Sequence, residues 1–285
     1  YSSIFRSKKV RASFSSCDKN DKIKFGGRGV AATLFPVEES SRVQIPSVAQ
    51  IWGSCLTTLF GESTMSKPRL LVFASGGSKP EEGGSGFQKL VEASRTGELS
   101  ANIVAVVSIH RFGGVFSRAL ASIVPFRYFG PPRTVKRYQW LVEYYKADFV
   151  ALSGWLKPVR GLDTKTTFNI HPGPLPEFGG TGMYGHHVHA AVLEAFHRGR
   201  LTHSAVCMHF VTSRYDEGPV FFRHPVPILE NDTLETLGQR VNEAEHKFQP
   251  MITDLIVRGE ISWDGKNPDS LRVPAGYRFL PKADK

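Results

Sequence analysis

Leu70-Leu71-Val72-Phe73-Ala74 is the stretch that decides the fold, together with the glycine-rich segment 75–86 and the Phe87-Gln88-Lys89-Leu90-Val91 run that follows. Five apolar residues without polar alternation predict a strand covered on both faces, as in a parallel sheet. Phe87, Leu90 and Val91 recur at helical spacing, and Gly97 stands where such a helix would close. Strand, turn and helix in that order make the opening of a β-α unit.

Outward from this unit the alternation continues. Strands are predicted at 102–108, 125–129, 148–155 and 166–171, and Val135, Tyr138, Leu141, Val142 and Tyr145 outline a helix with Thr134 at its cap position. The result is an α/β fold, a mostly parallel twisted sheet flanked by helices. Two later runs, 203–211 and 220–228, are rich in β-branched and aromatic residues and extend the sheet with antiparallel pairing. Asp232-Thr233-Leu234-Glu235 signals another helix start, and Pro250 is expected to interrupt that helix.

A change in composition near Met65 divides the chain. Residues 1–64 are Ser-rich and basic, show no amphipathic period and contain no acidic residue before Asp18. This predicts a poorly ordered extension without chemistry, either a transit segment or a stretch ahead of a start at Met65, the second being preferred. Residues 65–285 then form one catalytic domain, large enough for a sizeable core at 41% hydrophobic content. Cys17, Cys55 and Cys207 form no CxxC pair, and no apolar run approaches the roughly 20 residues of a membrane span, so a cytoplasmic protein is expected unless residues 1–64 direct it to an organelle. The excess of 36 basic over 26 acidic residues suits small anionic ligands. Without zinc-finger spacing or an aromatic-basic RNA motif, neither nucleic acid nor membrane is expected as a partner.

The chemistry lies in Asn169-Ile170-His171-Pro172 and in Tyr215-Asp216-Glu217-Gly218-Pro219. Two residues apart at a strand end, an amide and an imidazole point into one site. When an amine attacks a carbonyl carbon, the oxygen needs a fixed donor and the nitrogen needs a proton acceptor. Asn169 can be the donor, His171 can move the proton, and Asp216 can orient the imidazole or stabilise its charge. No covalent nucleophile is required, because the amine belongs to the substrate.

Asn169-Ile170-His171-Pro172, followed by Leu175-Pro176, His209-Phe210-Val211 and Asp216-Glu217-Gly218-Pro219, resembles the folate-dependent formyltransferases, and most closely those of purine synthesis, over about residues 68–266. The resemblance implies a Rossmann-type formyltransferase fold and an enzyme that moves a formyl group from 10-formyltetrahydrofolate to the amine of glycinamide ribonucleotide. It puts Asn169, His171 and Asp216 at the catalytic positions. Gly84, Ser85 and Gly86 match the loop that holds the ribotide phosphate, and Glu245 matches a carboxylate that binds the same substrate. Leu156, Lys157, Val159, Tyr215 and Glu217 are implied in holding the folate. Three departures stand out: Gly86 replaces a common Asn, residues 78–83 look inserted, and Ile109 stands where Asn is usual. Rival activities with the same core are formylation of methionyl-tRNA or of an amino sugar, and hydrolysis of the formylfolate. A non-catalytic ligand-binding protein is the alternative from another class.

The histidines are weighed separately. His186, His187 and His189 suggest metal, yet there is no HExxH, and neighbouring helical residues face different ways. A structural or substrate-lining role is expected for them, with no metal, and His209 is expected to support the site or fill the core.

Overall fold

The computed structural model describes residues 66–281; the extension expected over residues 1–64 lies outside them. Among the described residues seven strands form one sheet: β1 (Arg69–Phe73), β2 (Asn102–Ser108), β3 (Phe126–Tyr128), β4 (Phe149–Ser153), β5 (Thr167–His171), β6 (His203–Phe210) and β7 (Val220–Pro227). Their spatial order is β3-β2-β1-β4-β5-β6-β7. The first five pair in parallel, while β6 and β7 add antiparallel pairs, as the sequence predicts.

The helices are α1 (Ser85–Thr96), α2 (Gly114–Ala121), α3 (Val135–Tyr144), α4 (His186–His197) and α5 (Leu234–Val257). The unbroken apolar run of β1 is explained by burial on both sides. Leu70 and Val72 join Phe87 and Leu90 of α1, Val188 of α4 and Leu237, Ile252 and Ile256 of α5. Leu71 and Phe73 face the other way, against Tyr138 and Leu141 of α3 and against Phe129 and Trp155.

Two elements depart from expectation. Only eight residues long and opening on glycine, α2 carries little sequence signal, and it buries just Gly114, Val115 and Ala119. Pro250 does not interrupt α5, which runs through it for 24 residues. A proline removes one backbone bond from a helix, a local loss. Here Phe248, Pro250, Ile252 and Ile256 are all buried, and that packing outweighs it. The start of α5 follows the sequence signal: Thr233 accepts from the Thr236 N–H at 3.3 Å, and Thr236 Oγ1 accepts from the Thr233 N–H at 2.9 Å. Thr134 does occupy the N-cap of α3, but its side chain makes no capping bond.

Strand order places the crevice. From β1 the sheet grows through β2 and β3 on one side and through β4 and β5 on the other, so the carboxyl ends of β1 and β4 flank a switch point where ligands bind in open α/β sheets. The two ends are tied together: the Ser75 N–H donates to the Gly154 carbonyl at 3.1 Å, and the Leu156 N–H donates to Ser75 Oγ at 2.8 Å.

Candidate active site

Asn169 and His171 share one face of β5, as alternation along a strand requires. Antiparallel pairing sets His209 of β6 directly opposite Asn169. Asp216 arrives from the β6–β7 connection with φ of +55°, a left-handed conformation that aspartate tolerates better than most residues. Two residues on, a Cβ at Gly218 would fall 1.7 Å from the Phe210 carbonyl oxygen. Only glycine lets the turn fold that tightly against β6, which is the physical reason for an Asp-x-Gly spacing here.

The four side chains form one network. His171 Nε2 lies 2.7 Å from the Phe178 carbonyl oxygen, an acceptor only, so this nitrogen carries the proton and Nδ1 faces Asp216. From His171 Nδ1 to Asp216 Oδ2 is 3.7 Å, and the Gly180 N–H donates to the same oxygen at 3.0 Å. His209 donates from Nδ1 to the Phe210 carbonyl at 2.9 Å. Its Nε2 is 3.1 Å from Asn169 Nδ2 and 3.3 Å from Asp216 Oδ1. One nitrogen cannot serve both partners: a neutral ring accepts from Asn169, and a charged ring donates to Asp216. In the neutral state His209 orients the Asn169 amide and leaves its second N–H for a ligand.

Burial lowers the His171 pKa below the usual imidazole value, although the Asp216 charge and the Phe178 carbonyl oppose it. Burial pushes the Asp216 carboxyl up, but in the acid range, where the imidazoles are protonated, the hydrogen bond from a charged His209, the two imidazolium charges and the Gly180 N–H outweigh it and hold the group below the usual carboxylate range. At neutral pH the site therefore holds an ionised carboxylate beside an uncharged base, the state needed to accept a proton.

Asn169, His171 and Asp216 line a cleft of about 570 Å³. Gly84, Ser85 and Gly86 line it at the start of α1, where Gly84 takes the left-handed N-cap conformation. With no acidic residue in its first turn, α1 directs free N–H groups and the positive end of its dipole into the cleft, a setting for an anion. Arg118 donates to the Gly83 carbonyl at 2.9 Å and braces this loop. Glu245 enters from α5. By sequence alone it is an ordinary solvated helix residue; in the fold it is half-buried in the cleft wall, and burial pushes its carboxyl up to about 7 against a hydrogen bond from Asn242.

The residues expected to hold the folate are divided. Leu156 lines the main cleft, Lys157 and Val159 line an adjoining recess of about 60 Å³ that also reaches Asn169, His209 and Asp216, and Tyr215 lines both. Glu217 lines neither; its carboxylate pairs with Arg214 at 3.2 Å on the exposed surface. His186 and His189 face the cleft and His187 does not, and no three His, Cys, Asp or Glu side chains converge as metal ligands among the described residues. Sequence reasoning missed Phe178 and Gly180, which act through backbone atoms, and Ser153 and Gln249, whose meeting depends on how α5 lies over the sheet.

Comparison with known proteins follows the same outline. The formyl transferase family model matches residues 69–253. The chain is 34% identical over 227 residues to the chloroplastic phosphoribosylglycinamide formyltransferase of Arabidopsis thaliana, covering 71% of this chain and 73% of that protein. To the phosphoribosylglycinamide formyltransferase of Bacillus subtilis it is 27% identical, over 67% of this chain and 98% of that one. The crystal structure of glycinamide ribonucleotide transformylase 1 from Symbiobacterium toebii superposes with a TM-score of 0.63 at 27% identity, covering 75% of this chain and 99% of that one.

Proposed function

The chain belongs to the formyl transferase family, and from that premise we propose that it transfers the formyl group of 10-formyltetrahydrofolate to the primary amine of glycinamide ribonucleotide, a step of purine synthesis. One observation carries the choice of substrate: a single cleft joins an acid-free helix N-terminus, suited to a phosphate, to the Asn169, His171 and Asp216 cluster, suited to an acyl transfer. The ribotide spans that length, with its phosphate on Gly84, Ser85 and Gly86 and its amine beside His171. Glu245 accepts from the sugar between them. Leu156, Lys157, Val159 and Tyr215 receive the folate; Glu217 reaches it only if the exposed turn closes over the ligand.

In this reading the amine nitrogen attacks the formyl carbon and the carbonyl oxygen becomes an oxyanion, which the free Asn169 N–H stabilises. The nitrogen's proton passes to His171 Nδ1, the basic nitrogen of the tautomer that the Phe178 contact requires, directly or through a water. Asp216 stabilises the resulting imidazolium. Collapse of the intermediate expels the folate nitrogen, which takes a proton back. The decisive experiment is product analysis with formylfolate in the presence and absence of the ribotide. Formylated ribotide and free tetrahydrofolate in equal amounts are expected, with no turnover when the ribotide is left out. Turnover without an amine acceptor identifies a hydrolase instead.

The Arabidopsis relative carries the word chloroplastic in its name, and this favours the transit-segment reading of residues 1–64 over a start at Met65. Fusing residues 1–64 to a fluorescent reporter tests it: delivery into an organelle is expected, and a reporter left in the cytoplasm returns the preference to Met65.

A further inference from the structure

Gly86 stands in the first turn of α1, on the cleft, where any side chain would have to displace two polar neighbours. A Cβ built there would lie 2.4 Å from Ser153 Oγ and 2.9 Å from Gln249 Oε1. Those atoms fill the space and hold each other: Ser153, at the end of β4, donates to Gln249 Oε1 at 3.1 Å. Gln249 is 1% exposed and lines the cleft, on the same face of α5 as Glu245 one turn earlier. Its buried Nε2 has no partner among the described residues. Turning the amide over exchanges the two atoms and still leaves one unpaired, a cost that burial makes substantial. A leucine of similar volume would avoid that cost, so the polarity calls for a partner that arrives with the ligand.

We propose that Gln249 is the side-chain donor of the anion cradle. It supplies from α5 a donor that glycine at position 86 cannot, packs over Gly86 so that the first turn of α1 keeps its N–H groups on the cleft, and, by turning its amide toward the cleft it lines, gives the free N–H to the ligand's phosphate. The inference rests on the proposed ribotide reading for the name of the ligand, and on the cradle alone for its chemistry.

The test is Gln249→Leu in the full chain, with Gln249→Glu and Ser153→Ala beside it. Gln249→Leu is expected to raise KM for the ribotide about tenfold or more, the usual effect of losing a hydrogen bond to a charged group, while KM for the formylfolate and kcat stay within about twofold. Gln249→Glu, similar in shape but without the donor and able to carry charge, should raise the ribotide KM further. Ser153→Ala frees the amide and should give a smaller rise, about threefold; it also keeps the proposal testable if Gln249→Leu fails to fold. Calorimetric binding of ribose 5-phosphate separates this proposal from the assignment of the reaction. Should the wild type not formylate the ribotide, yet bind ribose 5-phosphate about tenfold more tightly than Gln249→Leu, the amine assignment falls and the donor stands. If a folded Gln249→Leu protein binds ribose 5-phosphate as the wild type does, or all kinetic constants shift together with Tm, Gln249 is only a packing residue and the proposal is overturned.

Discussion

In the proposed transfer Asn169, His171 and Asp216 divide one task, and the geometry says what each removal does. His171→Ala removes the base, and Asp216→Asn removes the charge that stabilises its cation; each is expected to lower kcat by about a hundredfold or more, with KM for the ribotide little changed. Steady-state kinetics checks this, and near-parental rates in both variants would exclude the mechanism. The pKa directions make a separate prediction. The folded protein binds a proton at His171 less readily than the unfolded chain does, because burial disfavours the charged ring. Stability therefore rises with pH between the folded value and the ordinary imidazole value of about 6.5. Asp216, held below its ordinary range, acts in the same sense at lower pH, its contribution present above the ordinary carboxylate value and lost as pH falls through the folded one. Glu245, raised to about 7 by burial, acts in the opposite sense, so the check is a difference: at constant ionic strength the Tm of the wild type relative to His171→Ala should fall as pH drops from 7 toward 5. A difference independent of pH over this range contradicts it. The residue types of the trio were legible in the sequence. The bracing of Asn169 by His209 was not, because it depends on the register between β5 and β6.

Among the elements, α5 carries the most functional weight. Its stripe of Gly238, Asn242, Glu245 and Gln249 forms one wall of the cleft, so the helix start sets the depth of the site. Thr233→Ala removes the capping box and should cost about 1 kcal/mol of stability by denaturant unfolding, the usual scale for an N-cap threonine. A change below a few tenths of that would mean the neighbouring Asp232, hydrogen-bonded to Arg240, holds the start alone. The cap was readable from Asp232-Thr233-Leu234-Glu235 because capping is local. Continuation through Pro250 was not, since it is decided by buried contacts on either side of the proline. The eight residues of α2 escape notice for a related reason: they bury little, so little apolar periodicity marks them.

For the whole molecule two expectations are open to direct measurement. Activity should survive thorough chelation, because the proposed acyl transfer uses an amine that is already nucleophilic and an oxyanion donor in Asn169; stoichiometric zinc whose removal abolishes turnover would transfer the chemistry to the histidine cluster. A chain starting at Met65 should melt at nearly the same temperature as the full chain and keep its kinetic constants, since every described strand lies beyond that point. Insolubility of the shorter chain, or altered response to ligands, would show that residues 1–64 belong to the catalytic unit.

The alternation of apolar runs and helical stripes determined the parallel sheet, because burial on two faces leaves no room for polar alternation in β1 or β4. The Asn-x-His and Asp-x-Gly spacings determined which side chains meet at the candidate site, because strand geometry and a tight turn operate over a few residues. Only the tertiary structure decided the rest. It crowds Glu245 until burial raises its carboxyl to about 7, it aims the Phe178 carbonyl and the Gly180 N–H at His171 and Asp216, and it packs Ser153 and Gln249 over Gly86. Each joins groups remote in the chain or uses a backbone atom that every residue possesses, and so leaves no mark in the order of side chains.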